Sequence, residues 1–332
     1  MSAARPGEFE LIKQFFAPLA KNPGSVGLTD DAAVLSPRDG YDLVLTKDVL
    51  AADIHFFADD APEAIAAKAL RVNLSDLAAK GATPRGYLLG LALPKDWTAE
   101  WLERFCNGLA ADQAAYDIDL FGGDTIRSSN GLQVSITAIG EVEAGNAVRR
   151  CGAKPGDQLF VTGTIGDAAA GLKARLDPEF CRRSRLDEDQ EKHILDRYLL
   201  PRPRTRMAPI IAKYASASMD VSDGLLSDAR HIATASAVDM HIDLEAVPLS
   251  MTMAHIKEAA PETFFSCLNG GDDYEILAAV PAQDAAAFAA DSEVAGCRVH
   301  AIGRVEEGTG GVHLSKNGAP LAAGQSAGFR HF

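Results

Sequence analysis

The sequence predicts an α/β (α+β) protein of two domains, with strands and helices alternating along the whole chain. Three observations carry this. The 332 residues are enough for two domains of ordinary size. Apolar runs of strand length alternate with longer stretches of helical period. The pattern restarts near residue 148, which divides the chain into 1–148 and 149–332.

From the N-terminus, Phe9, Ile12, Phe16 and Leu19 recur at helical spacing and predict a helix from Glu8. Short strands are expected at Ala32–Leu35 and Asp42–Thr46. A long helix is expected from Pro62, a favourable first-turn residue, to Lys80, where Gly81 and Pro84 stop it. Gly86–Leu93, Ile118–Phe121 and Leu132–Val142 read as strands, with a helix near Thr98–Tyr116 between the first two. In the second domain, Gln158–Thr162 reads as a strand, followed by a Gly turn and a helix from Gly166. Asp177–Gln190 reads as a charged, irregular surface excursion, and Pro201-Arg-Pro-Arg204 interrupts the helical pattern around it. Strands at Ala217–Val221, Asp239–Asp243, Tyr274–Val280 and Arg298–Val305 then alternate with helices.

Composition narrows the function classes. Hydrophobic residues are 47% and charged residues 23%, as in a globular enzyme. A net charge of −14 and a pI near 5.0 argue against nucleic acid or anionic membrane as partner. Cys106, Cys151, Cys181, Cys267 and Cys297 are odd in number and never at CxxC spacing, which fits a reducing compartment. The segment MSAARPGEFELIKQFF has no signal-like apolar core, and no apolar run nears the roughly 20 residues of a membrane span. A cytoplasmic protein is expected.

The chemistry concentrates in short acidic clusters expected at strand ends: Asp30-Asp31, Asp48, Gly122-Gly-Asp124, Asp220-Val-Ser-Asp223 and Gly270-Gly-Asp-Asp273, with Asp76 in Asn73-Leu-Ser-Asp76. A single Asp pair there caps a turn. Several converging carboxylates would instead hold hard cations, because magnesium prefers oxygen ligands. Asp223 reads either as a helix N-cap or as a ligand. No GxxxxGK[ST] loop, protein-kinase loop or GxSxG elbow is present. Phosphates would therefore be held through carboxylate-bound metal. The loop Val161–Gly171 reads as a tight turn or a phosphate cradle. Among eight histidines, His55 stands out beside Phe56 and Phe57, as a structural residue or a functional one.

These clusters resemble the thiamine-monophosphate kinase family, of the aminoimidazole-ribonucleotide synthetase-like superfamily. The similarity runs nearly end to end, through Gly7-Glu-Phe-Glu-Leu-Ile12, Thr29–Val34, Leu45–Leu50, Lys68–Asp76, Gly122–Thr125, Arg150–Asp157, Ser218–Leu225, Gly270–Glu275 and Gly328–Phe332. It implies the two-domain fold of that superfamily, with N-terminal domains pairing in a homodimer to form a shared β-barrel and ATP bound at the dimer interface. It also implies Mg²⁺-assisted transfer of the ATP γ-phosphoryl group to thiamine monophosphate. The implied Mg²⁺ ligands are Asp30 or Asp31, Thr46, Asp48, Asp76, Asp124, Asp220 and Asp223. Gly123, Asp124, Arg150 and Ser222 match ATP-contacting positions, and His55, Asp272 and Phe329 match substrate-contacting ones.

Three residues depart from the family pattern. Lys47 stands where a second Ser/Thr usually precedes Asp48, so one metal ligand is lost or Lys47 points elsewhere. Asp272 replaces Glu, and Thr29 replaces Gly in a turn. No side-chain nucleophile or general base is expected, because the acceptor phosphate, with a second pKa of about 6, is itself ionised. Rival readings are another ATP-dependent enzyme of the superfamily and a non-catalytic nucleotide- or thiamine-phosphate-binding protein. Selenophosphate synthetase is disfavoured because no Cys precedes Cys106.

Overall fold

The protein is described by a computed structural model, which covers residues 7–316 and 319–321. The chain divides into two compact units: the chain up to Leu77 with Thr83–Gly145, and Ala78–Ala82 with the chain from Asn146 onward. Among the described residues no helix is long and apolar enough to cross a membrane.

The first unit contains strands β1 (Tyr41–Ala51), β2 (Thr83–Leu93), β3 (Asp119–Arg127) and β4 (Gln133–Glu143). They form an open sheet in the order β1-β4-β2-β3. Its helices are α1 (Glu8–Leu11), α2 (Pro62–Ala79) and α3 (Ala99–Tyr116). β4 is antiparallel to β1 and β2, whereas β2 and β3 are parallel and joined by the α3 crossover that such a pair requires.

One face of this sheet is covered by α2 and α3. Thr46 of β1 donates to Asp76 of α2, and Gln113 of α3 donates to the Tyr87 hydroxyl of β2. The helices are tied by an Arg71–Asp112 ion pair at 2.7 Å. Leu70, Leu74, Leu102 and Phe105 are buried, as are Ile136 and Leu91 of the sheet, each worth about 1.5–3 kcal/mol. α3 begins at Thr98, whose hydroxyl accepts from the Trp101 N–H, and ends at Asp117 with φ 52°.

The opposite face is open. It carries Leu45, Lys47 and Val49 of β1, Leu88 of β2, and Asp124 and Ile126 of β3; Leu45, Val49 and Ile126 are 63%, 50% and 57% exposed. The position of Asp124 comes from a bulge. The β2–β3 register slips past Phe121, so Leu120 faces Tyr87 but Gly122 faces Leu88. One extra residue reverses the alternation beyond it and turns Asp124 outward. Gly86 makes room, since a Cβ there would meet the Phe121 ring at 2.0 Å.

The second unit contains β5 (Gln158–Thr162), β6 (Ala217–Asp220), β7 (Val238–Asp243), β8 (Ile276–Val280), β9 (Val299–Glu307), β10 (Val312–Lys316) and β11 (Ala319–Pro320). They form a sheet in the order β11-β10-β7-β9-β5-β8-β6, antiparallel except for the β7–β10 pair. Its helices are α4 (Asp167–Leu176), α5 (Phe180–Arg183), α6 (Glu188–Leu199), α7 (Ala208–Tyr214), α8 (Leu225–Ser236), α9 (Met251–Ala259), α10 (Pro261–Leu268) and α11 (Ala285–Val294). β8 is buried at every position: Leu277 and Ala279 join one core cluster with Met219 and Ile232, while Ile276, Ala278 and Val280 join another with Ile211 and Phe288. A strand covered on both faces shows no polar alternation.

Several local expectations are corrected. Residues from Glu8 to Leu19 do not form one helix: α1 passes into a π-helical turn, Ile12–Phe16, and a 3₁₀ turn, Ala17–Leu19, where Pro18 has no N–H to continue an α-helix. Phe9 is exposed, and Leu11, Phe15, Phe16 and Leu19 are the buried residues. Ala32–Leu35 is not a strand, and Val34 is exposed, although its N–H donates to the Gly24 carbonyl. Asp177–Gln190 is not irregular throughout: it contains α5, and a capping box of Asp187 and Gln190 starts α6. Asp48 and Asp124 lie inside strands rather than at strand ends.

Candidate functional site

In the first unit, three predicted ligand positions come together where β1 meets α2. Thr46 and Asp48 sit two apart on β1 and share its covered face. Asn73 and Asp76, one turn apart on α2, meet them. The Thr46 hydroxyl donates to Asp76 Oδ2 at 2.5 Å, and the Asp48 N–H donates to Asn73 Oδ1 at 3.2 Å. The Asn73 amide is oriented by its own bond to the Ala69 carbonyl, 3.1 Å away. Burial, and then the charge of Asp76, push the Asp48 carboxyl up to about 6. The donors offered here are oxygens, and the packed carboxylates carry unfavourable charge that a hard dication relieves, so the set fits Mg²⁺.

Lys47 points elsewhere. It lies on the open face, where its Nζ donates to Ser135 Oγ at 2.7 Å. Its ammonium therefore does not enter the Thr46–Asp48–Asp76 group. Asp124 is also on the open face, so the sheet separates its side chain from those of Asp48 and Asp76. Gly123 is required by packing, since a Cβ there would fall 1.9 Å from the Leu89 carbonyl oxygen. Asp30 and Asp31 are exposed in the loop before β1, with Asp30 Oδ1 accepting from the Asp31 N–H at 2.8 Å. Thr29 has φ −103°, ordinary for a β-branched residue, so the replacement of Gly costs no strain. His55 follows β1 in a tight turn and accepts the Ala51 N–H on Nδ1 at 3.1 Å. That bond leaves the proton of the neutral ring on Nε2, which becomes a donor.

In the second unit, residues from distant motifs are adjacent. Asp220 ends β6, and Val221–Gly224 leads into α8. The Asp272 N–H donates to the Ser222 carbonyl at 2.9 Å, and the Tyr274 N–H to that of Val221 at 2.8 Å. The structure thus brings together Ser222, Asp223 and Asp272. Asp272 takes φ 71° and receives the Tyr274 hydroxyl at 3.3 Å. Asp223 is not the helix N-cap; that position is Gly224. The carboxylate facing the loop N–H groups belongs to Asp228, which the sequence reading missed. Its Oδ2 accepts from Ser222, Asp223 and Gly224 at 3.0, 3.1 and 3.2 Å. Burial, and then Asp223, push Asp228 up to about 7. Asp223, Asp228 and His231 each offer a ligand atom within 4.8 Å of the others. Arg150 is exposed, and its carbonyl accepts the Ser236 hydroxyl at 3.2 Å.

The Gly loop before α4 is filled by the protein's own carboxylate. Asp273 accepts from the Gly166 N–H at 2.8 Å and the Ala168 N–H at 3.4 Å, so the phosphate-cradle reading gives way to the tight-turn one. Burial holds Asp273 well above the usual carboxylate range. Beside it, buried Glu275 accepts from Arg197 at 3.0 Å, from Arg204 and from the Thr162 hydroxyl. Asp273 and Glu275 stood in segments the sequence singled out, as an acidic cluster and as a motif end, but neither was given this role, and Arg197 was not singled out at all. Phe329 lies outside the described residues.

Comparison with known proteins follows the same division. Residues 29–142 match the family model "AIR synthase related protein, N-terminal domain", and 154–315 match its C-terminal counterpart. A thiamine-monophosphate kinase of Caulobacter vibrioides is 44% identical over 313 residues, covering 93% of this chain and 87% of the relative. One from Bacillus subtilis is 33% identical, covering 98% and 99%. Among solved structures, AaThiL complexed with AMPPCP and TMP superposes with a TM-score of 0.75 at 34% identity, covering 98% of this chain and 97% of that one. With matches of this length and identity in both halves, the chain belongs to the thiamine-monophosphate kinase family, built on the AIR synthase related fold.

Proposed function

We propose that the protein transfers the γ-phosphoryl group of ATP to thiamine monophosphate, giving thiamine diphosphate and ADP. The observation that carries this is the full-length identity to thiamine-monophosphate kinases, 44% in one relative, joined to an oxygen-only cluster at Thr46, Asp48 and Asp76. In the related AaThiL structure, AMPPCP and TMP are bound to that protein. Both molecules fit the roles assigned here.

Mg²⁺ ions would be held by Asp30 or Asp31, Thr46, Asp48, Asp76 and Asp124 of the first unit, and by Asp220 and Asp223 of the second. When bound, they supply charge neutralisation between two phosphates that repel by about 4 kcal/mol per charge pair at about 4 Å and an effective dielectric of 20. The protein's own groups bind and orient. Gly123 lets backbone approach the nucleotide, Ser222 and Arg150 meet its phosphates, and Arg150 adds a permanent positive charge. His55 Nε2–H donates to the substrate, and Asp272 and Phe329 complete its contacts. The attacking oxygen belongs to the substrate phosphate, so no residue need remove a proton. Transfer is direct and in line, without a phosphoenzyme.

Residues 1–148 are assigned nucleotide, metal and dimer contacts, and 149–332 form the second domain. The open face of the first sheet supports a homodimer, since a monomer gains nothing from exposing Leu45, Val49 and Ile126 together. Two such sheets closing on each other would form the shared β-barrel, and ATP would lie at that contact, where Asp124 points. The five free cysteines and the ATP requirement suit the cytoplasm.

The test is incubation with ATP, Mg²⁺ and thiamine monophosphate, followed by chromatography. Thiamine diphosphate is expected. Binding of both ligands without product would make the protein a sensor, and a ³²P-labelled protein intermediate would overturn direct transfer.

A further inference from the structure

We propose that Asp228 is a positioning residue for phosphoryl transfer, holding the nucleotide-side and substrate-side loops in one arrangement. The role rests on the kinase reading above and on its assignments of Ser222, Asp223 and Asp272. Asp228 touches no ligand in that reading. It sits in the first turn of α8, fully buried, behind the loop that carries Ser222 and Asp223.

The geometry runs through peptide groups. Three successive N–H groups, of Ser222, Asp223 and Gly224, converge on Asp228 Oδ2 at 3.0–3.2 Å. Converging backbone donors of this kind form a nest, a concavity that favours an electron-rich oxygen at its centre. With those N–H groups turned toward Asp228, the Val221 and Ser222 carbonyls are presented to the other loop. There they accept the Tyr274 and Asp272 N–H groups at 2.8 and 2.9 Å.

Little slack remains. A Cβ on Gly271 would stand 2.1 Å from the Ser222 carbonyl oxygen, and one on Gly224 would stand 2.5 Å from that of Asn269. Gly224 takes φ 114°, which side chains rarely adopt. One carboxylate oxygen therefore sets the peptide planes of the Ser222 loop. Through the Ser222 carbonyl it also sets the left-handed backbone of Asp272. Weakening that acceptor lets the planes rotate, and Asp223 and Asp272 move together.

The test is the steady-state kinetics of full-length Asp228→Asn, with ATP and thiamine monophosphate varied in turn at saturating partner. A merely structural Asp228 would lower the thermal midpoint while leaving kcat and both KM values per folded molecule at wild-type level. A positioning Asp228 lowers kcat/KM for both substrates, on the order of 10²-fold, as small misplacements of reacting groups do, with one cooperative unfolding transition retained. Wild-type constants, or a change confined to the ATP side, would overturn the role. Should Asp228→Asn fail to fold, Gly271→Ala presses the same Ser222 carbonyl from the other side and must give the same two-substrate loss. If wild type makes no thiamine diphosphate, the kinase reading fails separately. Calorimetric binding of AMPPCP and thiamine monophosphate to the variants then carries the same comparison, and weakening of both is required.

Discussion

Asp48 shows how one side chain's surroundings set its chemistry. It carries a carboxyl raised to about 6 by burial and by Asp76. In the metal-free protein the folded state keeps this proton longer than the unfolded chain does. Asp48 therefore costs stability as pH rises from the ordinary carboxylate range through about 6. A bound cation reverses that, because a ligand must be ionised. Mg²⁺ affinity, measured by calorimetry on either side of pH 6, is expected to weaken as pH falls. In Asp48→Asn the pH dependence should vanish along with much of the binding. Unchanged affinity in that variant would remove Asp48 from the ligand set. For the exposed Asp124, Asp124→Asn should cut kcat by at least about 10²-fold, as loss of an electrostatic contact in the transition state does. Its unfolding midpoint should stay near wild type, since surface changes cost within about 0.5 kcal/mol.

Elements are positioned by buried polar groups as much as by apolar packing. Glu275, just before β8, is buried and bound by Arg197 of α6 and by Arg204 from the Pro201–Arg204 segment. The segment that looked like a break in helical pattern is thus pinned by charge. Glu275→Gln leaves Arg197, itself 3% exposed at its side chain, without its anion. Removing one partner of a buried pair costs about 3–5 kcal/mol. Denaturant unfolding should read that loss, and a change below about 0.5 kcal/mol would mean that solvent or a neighbour compensates. The same logic explains the Gly loop before α4. Its N–H groups look ready for a phosphate, but Asp273 from a segment more than a hundred residues away already receives them.

At the scale of the whole molecule, the open face of the first sheet is the feature that a single copy leaves unexplained. Leu45→Glu puts a charge in its exposed row while removing nothing from the core. Sedimentation should show wild type as a dimer and the variant as a folded monomer with little kinase activity, because the proposed ATP site includes the contact. A variant that stays dimeric and active would put the subunit contact on another surface.

The sequence by itself determined the family, the α/β alternation and the acidic segments from which the proposed site is drawn. Asp48 and Asp76 stood out as acidic residues in short local motifs and Thr46 entered with the family resemblance, while the strand read there stopped at Thr46 and β1 runs on to Ala51. The α/β alternation was legible because β-strand and helix periods are also local. The sequence reading could not tell on which face of a sheet a carboxylate stands. Asp124 faces outward because Phe121 bulges against Gly86, and a slip of one residue would have sent it to the helices. Nor could that reading show that Asp228 and Asp273 fill the two anion-binding turns. Asp273 reaches its turn from more than a hundred residues away, so only tertiary packing decides that pairing, whereas Asp228 accepts from N–H groups four to six residues before it, a local contact set by how the loop turns into α8.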